Sequence, residues 1–338
     1  MGRKLPPNIK RTSVLRRVPI PLTSRYVDVP GLEGYVCVFR LAPTSRSLVV
    51  ETTHGRAMTL LPRDMFLGTP GYRLSSRMTG RIPKRGLVPG KTYWLIAESG
   101  VVGELVGGTP HAKTFLGQAK YLGAIANDDG QIIAIQQFTA ATANRKADHG
   151  AQVFVIVGTG PEVGKTAAGL TVLRMLLNKG HSTVIALKTT GTSSVTEIME
   201  YKDYGATQVF DCVDFGIPTT HPHNRKGMDR LFDRMLDTCL SIPADAVVIE
   251  CGGDMLGGNV PTFLRRLKRR RSLPKVILAA ADSLGALGAT RLLRSMGLPI
   301  DLITGPCTDT TAVQQRTQTL CGIPAMNLGR TENGGAVS

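Results

Sequence analysis

Residues 153–166 constrain this chain more than any other stretch. Val153-Phe154-Val155-Ile156-Val157 is a continuous apolar run, Gly158-Thr159-Gly160-Pro161-Glu162-Val163-Gly164 is a glycine-punctuated turn, and Lys165-Thr166-Ala167 opens a segment of helical composition that reaches Lys179. A buried strand that feeds a glycine-rich turn and then a helix is the setting of a phosphate-binding loop. Backbone N–H groups at the helix start meet phosphate oxygens, the lysine ammonium neutralises them, and the threonine hydroxyl ligates magnesium. The strict pattern places glycine five residues before Gly164, where this chain has Thr159 between Gly158 and Gly160. A second Gly-Lys-Thr, at residues 90–92, lacks the strand and helix context and reads as a surface turn.

From Gln152 onward the pattern repeats strand, turn and helix. Val/Ile-rich runs at 183–188, 246–250, 275–280 and 302–305, with a shorter strand at 208–211, alternate with helical segments at 195–203, 226–240, 260–269, 287–296 and 311–320. Apolar runs of this kind, bounded by Gly and Pro, are strands buried on both faces, so the expected fold class is α/β, a parallel sheet with helices on both faces. Ligands of such sheets bind beyond the carboxyl ends of the strands. That rule directs attention to Lys188-Thr189-Thr190-Gly191-Thr192, Asp211 and Asp214, Glu250-Cys251-Gly252-Gly253-Asp254 and Asp282.

Residues 26–145 are read as a small β-rich barrel or sandwich, with short apolar stretches at 34–41, 47–52, 92–97, 101–106 and 132–138 between Gly, Pro and Asn-Asp-Asp-Gly turns. Residues 1–25 form a basic N-terminal arm, and 140–150 a linker to the domain at 151–330. The length of 338 residues suits two domains. No apolar run approaches the roughly 18 residues needed to span a bilayer, and the basic N-terminus is not followed by an apolar stretch of signal-peptide type, so a cytoplasmic address and no membrane partner are expected. Six cysteines without a Cys-x-x-Cys pair indicate neither a disulfide framework nor a zinc site. The net charge of +16 is concentrated in the arm and in the run Arg265-Arg266-Leu267-Lys268-Arg269-Arg270-Arg271, which reads first as a positive helix terminus. Such charge admits a nucleic-acid partner, but the basic runs have no interleaved aromatics, which disfavours stacking on single strands.

The loop Gly158 to Thr166 aligns without a gap to the Gly-Thr-Asp-Thr-Glu/Asp-Val-Gly-Lys-Thr loop of dethiobiotin synthetase and its relatives, and the C-terminal half resembles these SIMIBI-class P-loop enzymes over about residues 151–328. Lys188 followed by a Thr/Gly turn, Glu250-Cys251-Gly252-Gly253, and Leu284-Gly285 ahead of a helical Ala289-Thr290-Arg291-Leu292-Leu293 occur in the family's order. Gly160 stands where the family has an acidic residue, and Cys251 where it has glycine. Residues 188–218 also resemble P-loop proteins of the DUF1611 type. The resemblance implies ATP and Mg²⁺ as cofactors, a homodimer, and phosphoryl transfer to a small acidic substrate, as in a ligase or cyclo-ligase.

Lys165, Lys188 and Glu250 are the candidate catalytic residues, and Gly158, Thr159, Gly160, Glu162, Val163, Gly164, Lys165, Thr166 and Ala167 the nucleotide-binding ones. Thr166 and Glu250 are expected to ligate magnesium, since a hard cation takes oxygen ligands, and the resemblance adds Asp203 as a further carboxylate. Thr189, Thr190, Thr192, Cys251, Gly252 and Gly253 are candidate substrate residues; Thr189, Thr190 and Thr192 serve an anion or cap the next helix. His221 and His223 lack the additional ligands of a zinc site and read as loop residues. Two further readings stand beside the ATP-using enzyme: a nucleotide-dependent switch or partner-binding ATPase of the same class, and a nucleic-acid-stimulated ATPase. An Asn-Lys-x-Asp guanine signature is absent, which favours ATP.

Overall fold

A computed structural model describes residues 2–21, 23–110, 116–140, 149–221, 225–270 and 274–330. The chain divides into two compact units. The first is Met1–Ala140 with Thr192–Thr196 and Asp211–Pro222; the second is Ala141–Gly191, Glu197–Phe210 and His223–Ser338.

Among the described residues, twelve strands build the first unit: β1 (Arg3–Lys4), β2 (Lys10–Arg11), β3 (Arg25–Val27), β4 (Cys37–Leu41), β5 (Leu48–Glu51), β6 (Ala57–Leu60), β7 (Met65–Pro70), β8 (Arg73–Leu74), β9 (Met78–Arg81), β10 (Thr92–Ala97), β11 (Val101–Gly108) and β12 (Gly117–Ala126). β12 pairs antiparallel with β4, β4 with β7, β7 parallel with β11, β11 antiparallel with β10, and β10 antiparallel with β12. These five pairings close a ring, so the expected barrel or sandwich is a small barrel, which removes the open edges of its central strands. Alternation directs Phe39, Phe66 and Tyr121 inward, with Phe39 stacked on Phe66 at 5.4 Å between ring centroids and tilted against Tyr121 at 5.5 Å. The stretch 132–138 differs from the strand expected of it: Ile132 and Ala134 make isolated bridges and Ile135–Gln137 is a 3₁₀ turn. The second Gly-Lys-Thr is an exposed turn with Gly90 at φ +85°, running into β10 rather than a helix.

Residues 1–25 are not a separate arm. Val14 and Leu15 are buried in a 3₁₀ turn, β2 pairs with β7, and the arm's charges are used inside the unit. Arg16 donates to Asp211 at 2.6 Å and to Asp214 at 2.6 Å, and Arg17 donates to Asp214 at 2.5 Å. Burial works against the Arg16 charge, but Asp211 and Asp214 more than offset it and hold the guanidinium above its ordinary pKa. Buried Glu51 accepts from Ser13 Oγ at 2.7 Å, Ser194 Oγ at 2.7 Å and the Val195 amide at 3.0 Å. These contacts explain why Thr192–Thr196 and Asp211–Pro222 belong to the first unit although they lie in the C-terminal half of the sequence.

The second unit alternates β13 (Gln152–Gly158), α1 (Lys165–Asn178), β14 (Val184–Thr190), α2 (Val195–Asp203, whose first two residues fall in the first unit), β15 (Gln208–Phe210), α3 (Arg225–Leu240), β16 (Ala246–Cys251), α4 (Val260–Leu267), β17 (Lys275–Ala279), α5 (Ser283–Ser295), β18 (Leu302–Thr304) and α6 (Thr311–Cys321). The six strands run parallel in the order β15-β14-β16-β13-β17-β18. Every residue of β14 and β16 is buried, as strands covered by helices on both faces require. The basic run at 265–271 is partly neutralised by α3: Arg266 pairs with Asp233 at 2.5 Å and Arg270 with Asp237 at 2.6 Å. No helix among the described residues is long and apolar enough to cross a membrane.

Candidate phosphate site

The strand order reverses about β13. The chain leaves it for β14 and β15, returns as β16 on that same side, and crosses to β17 and β18 on the other. A crevice at the carboxyl ends of the strands beside such a reversal is where open α/β sheets take ligands, and β13 ends there at Gly158.

The turn after β13 is held from both neighbours. The Thr159 amide donates to the Ala279 carbonyl at 3.0 Å, the Thr159 hydroxyl accepts from the Ala281 amide at 3.1 Å, and the Gly158 carbonyl accepts from the Met255 amide at 3.0 Å. Glu162, exposed, sits at φ +59°, a conformation that costs about 1 kcal/mol or more for a residue with a Cβ. Val163 is buried beneath the turn, and Gly164 caps α1 at φ +84° with no side chain over the first-turn amides. An uncapped helix start carries orphan N–H groups and the positive end of the macrodipole, which together favour an anion. Lys165 is buried, and its Nζ donates to the Gly160 carbonyl at 2.7 Å. Burial first, and Lys188 after it, draw the Lys165 ammonium below its ordinary pKa against the opposing pull of Glu250. Ala167 is exposed in the first turn.

Glu250 is the centre of the polar cluster behind this turn. It is 3% exposed and lies opposite Lys188 in the β14–β16 register, so both side chains leave the sheet on one face. Thr166 Oγ1 donates to Glu250 Oε1 at 3.2 Å, Lys188 Nζ lies 3.7 Å from the same oxygen, and Tyr201 donates its hydroxyl to Oε2 at 2.9 Å. Lys188 also makes an ion pair with Glu197. Burial and the neighbouring Glu250 push the Tyr201 phenol well above its usual pKa, so it stays protonated as a donor.

Two oxygen donors, Thr166 Oγ1 and Glu250 Oε1, stand together where phosphate is expected. That donor set fits magnesium, which takes one or two carboxylates and fills its octahedron with phosphate and water. No group of three or more His, Cys, Asp or Glu side chains suited to a metal occurs among the described residues.

Several expected site residues fall elsewhere. Asp203 is exposed at the last position of α2, six residues and about 240° around the helix from Glu197, while Tyr201, four residues from Glu197, shares its face. The carboxylate that α2 gives to the cluster is therefore Glu197. Thr189 is fully buried, its hydroxyl against the Glu250 carbonyl at 3.4 Å and the Cys251 sulfur at 3.6 Å. Cys251 is 1% exposed, and burial pushes its thiol up to about 12. Thr190, also buried, donates to the Gly252 carbonyl at 3.1 Å. These three side chains are used by the protein interior, not by a substrate cleft. Gly252 is buried, Gly253 is exposed, and Thr192 belongs to the first unit, where it bridges Thr219. Asp254 and Asp282 close local turns, accepting from Gly257 and Gly285 amides at 2.7 Å each. His221 is buried, and His223 lies outside the described residues. Tyr201 and Glu197 were not expected from the sequence; their spacing of four on a helix that follows a lysine-ended strand is the signal that carries them.

No family model matches this sequence, and no curated protein matches it. Among solved structures, the signal recognition particle 54 kDa protein from Aeropyrum pernix K1 in complex with GDP is similar over 58% of this chain and 47% of its own, at 16% identity and a TM-score of 0.35. FtsY from Thermotoga maritima is similar over 56% of this chain and 66% of its own, at 19% identity and a TM-score of 0.36. FlhF complexed with GTP and Mg²⁺ is similar over 57% and 70%, at 11% identity and a TM-score of 0.35. The chain spans about half the length of the first of these structures. Identities this low and superpositions this partial leave the site's own geometry to decide what the chain does.

Proposed function

We propose that the second unit is a magnesium-dependent nucleoside triphosphatase that works as a nucleotide-controlled switch. The carrying observation is the meeting of Lys165, Thr166 and Glu250 at the uncapped start of α1, with Thr166 and Glu250 3.2 Å apart. Amides of the turn and Lys165 would hold the phosphate tail, while Thr166 and Glu250 would hold magnesium. The ion would supply charge neutralisation between the phosphates. Tyr201 would keep the Glu250 carboxylate aimed, and Lys188 would place a second positive charge beside the transferred group.

Two observations favour a switch over an acceptor-phosphorylating ligase. Thr189, Thr190 and Cys251, where an acceptor was expected, are packed inside. Lys188 is paired with Glu197 on α2, so a phosphate oxygen that engages Lys188 competes with a carboxylate of that helix. The helix would thereby respond to what occupies the loop. ATP is the expected nucleotide, and the homodimer implied by the family resemblance remains the expected assembly.

Phosphate release should be followed with ATP and GTP in magnesium, alone and with a panel of small carboxylic acids. The proposal expects slow turnover that the acids leave unchanged. Glu250→Gln and Lys188→Ala should bind nucleotide but lose most of that turnover, about tenfold or more for one charge-assisted contact. Normal turnover in both variants would remove these residues from the chemistry, and acid-stimulated turnover with an acyl phosphate product would restore the ligase reading.

A further inference from the structure

Glu51, the last residue of β5, is a carboxylate only 5% exposed. A buried charge is tolerated where hydrogen bonds satisfy it. Its Oε2 accepts from Ser13 Oγ at 2.7 Å and the Val195 amide at 3.0 Å, and its Oε1 accepts from Ser194 Oγ at 2.7 Å and the Thr196 amide at 3.3 Å. Each oxygen therefore takes one hydroxyl and one backbone N–H. Only a carboxylate can do this, because the amide of Gln has one accepting oxygen beside an N–H donor, and a backbone N–H cannot reverse its role.

Val195 and Thr196 carry the first two amides of α2. A helix leaves these groups without internal partners, at the positive end of its dipole. Caps usually come from the residue just before the helix; this carboxylate stands 144 and 145 residues earlier in the chain than the amides it receives. Val195 and Thr196 belong to the first unit with Glu51, and the rest of α2 belongs to the second. Glu197, the next residue, pairs with Lys188, and Tyr201 donates to Glu250 at 2.9 Å. With nine residues, α2 is too short to be stable by its own ladder, since isolated helices below roughly 12–15 residues are marginal. Its placement depends on what holds it, and Glu51 holds its start.

We propose that Glu51 is a positioning residue for the phosphate site: by fixing the start of α2 it sets Glu197 against Lys188 and Tyr201 against Glu250. The part of that cluster in holding magnesium and phosphate rests on the function proposed above, whereas the linkage of Glu51 to the cluster does not. Coupling is reciprocal, so an occupant of the loop that draws Lys188 from Glu197 also changes how firmly Glu51 holds Val195 and Thr196.

The test compares hydrogen exchange in the full chain for wild type, Glu51→Gln and Phe39→Leu, the last a barrel-core variant whose ring packs on Phe66 and Tyr121. Without nucleotide, and measured against the amides of β14, exchange at residues 199–203 should speed about fivefold or more in Glu51→Gln and keep the wild-type ratio in Phe39→Leu. Glu51→Gln should retain magnesium-free nucleotide affinity but lose about fivefold or more in magnesium-linked affinity and in kcat. That loss should not multiply with the loss in Tyr201→Phe, since both act through α2. If Glu51→Gln fails to fold, Ser194→Ala, which removes one of the four donors, decides by the same comparisons. A wild-type exchange ratio at residues 199–203 in the folded variant, or losses that multiply in full with Tyr201→Phe, would overturn the proposal. If the wild type binds no nucleotide, the switch reading fails by itself and the exchange comparison decides the linkage.

Discussion

Replacing Tyr201 by Phe removes a single oxygen from the polar cluster and tests how Glu250 is held. The Tyr201 ring is 1% exposed, so Phe retains the packing, and the change falls on the 2.9 Å bond to Glu250 Oε2. A hydrogen bond to a charged group contributes about 1.5–3 kcal/mol, and a carboxylate 3% exposed has little water to replace it. For a unit of this size each kcal/mol shifts the melting temperature by roughly 2–4 °C, so a fall of about 3–12 °C is expected. Oε1 keeps Thr166 at 3.2 Å and Lys188 at 3.7 Å, so the carboxylate stays in the cluster but loses the group that fixes its plane. Nucleotide affinity without magnesium should therefore be unchanged, while magnesium-linked affinity and turnover both decline. Calorimetric melting, with nucleotide titrations with and without magnesium, measures each part. A melting temperature equal to wild type together with full turnover would refute the assignment of Tyr201 as the positioning residue.

Two further substitutions probe the packing. Gly169 lies within α1, where Ala ordinarily stabilises by about 1 kcal/mol; here a Cβ would stand 2.0 Å from the Tyr201 hydroxyl, so Gly169→Ala should destabilise by about 1–3 kcal/mol and do so less in the Tyr201→Phe background, as denaturant midpoints of the double-mutant cycle would show. Arg16→Met leaves Asp211 and Asp214, with side chains 1% and 5% exposed, short of a cation and should cost about 3–5 kcal/mol; an unchanged urea midpoint would mean that the cluster is not what holds residues 211–222 in the first unit.

The glycine-rich turn after β13 was legible because its pattern is local. Strand, glycines, lysine and helix start are consecutive, and helix α1 begins at Lys165 as the sequence implies. The parallel sheet was legible for the same reason, through unbroken Val and Ile runs. What surrounds the loop depends on phase, which the sequence sets less sharply. Strand β14 runs two residues beyond Lys188, and β16 one residue beyond Glu250, so the pleat turns Thr189 and Cys251 into the interior rather than the crevice. On α2 the helical phase puts Glu197 and Tyr201 on the cluster and Asp203 away from it. The basic residues at 16–17 look solvated in the sequence because their partners, Asp211 and Asp214, lie some 195 residues away, a pairing that no local pattern announces.

The central claim is that the amides and lysine of residues 158–166 hold a magnesium-bound triphosphate. Equilibrium titration of fluorescent ATP and GTP analogues, with and without magnesium, into wild type and Lys165→Ala tests it most directly. The account predicts saturable, magnesium-strengthened binding by the wild type and a loss of about tenfold to a hundredfold in the variant, the worth of a buried charge-assisted contact to phosphate. Wild-type affinity in Lys165→Ala, or binding by neither protein at millimolar nucleotide, would contradict it.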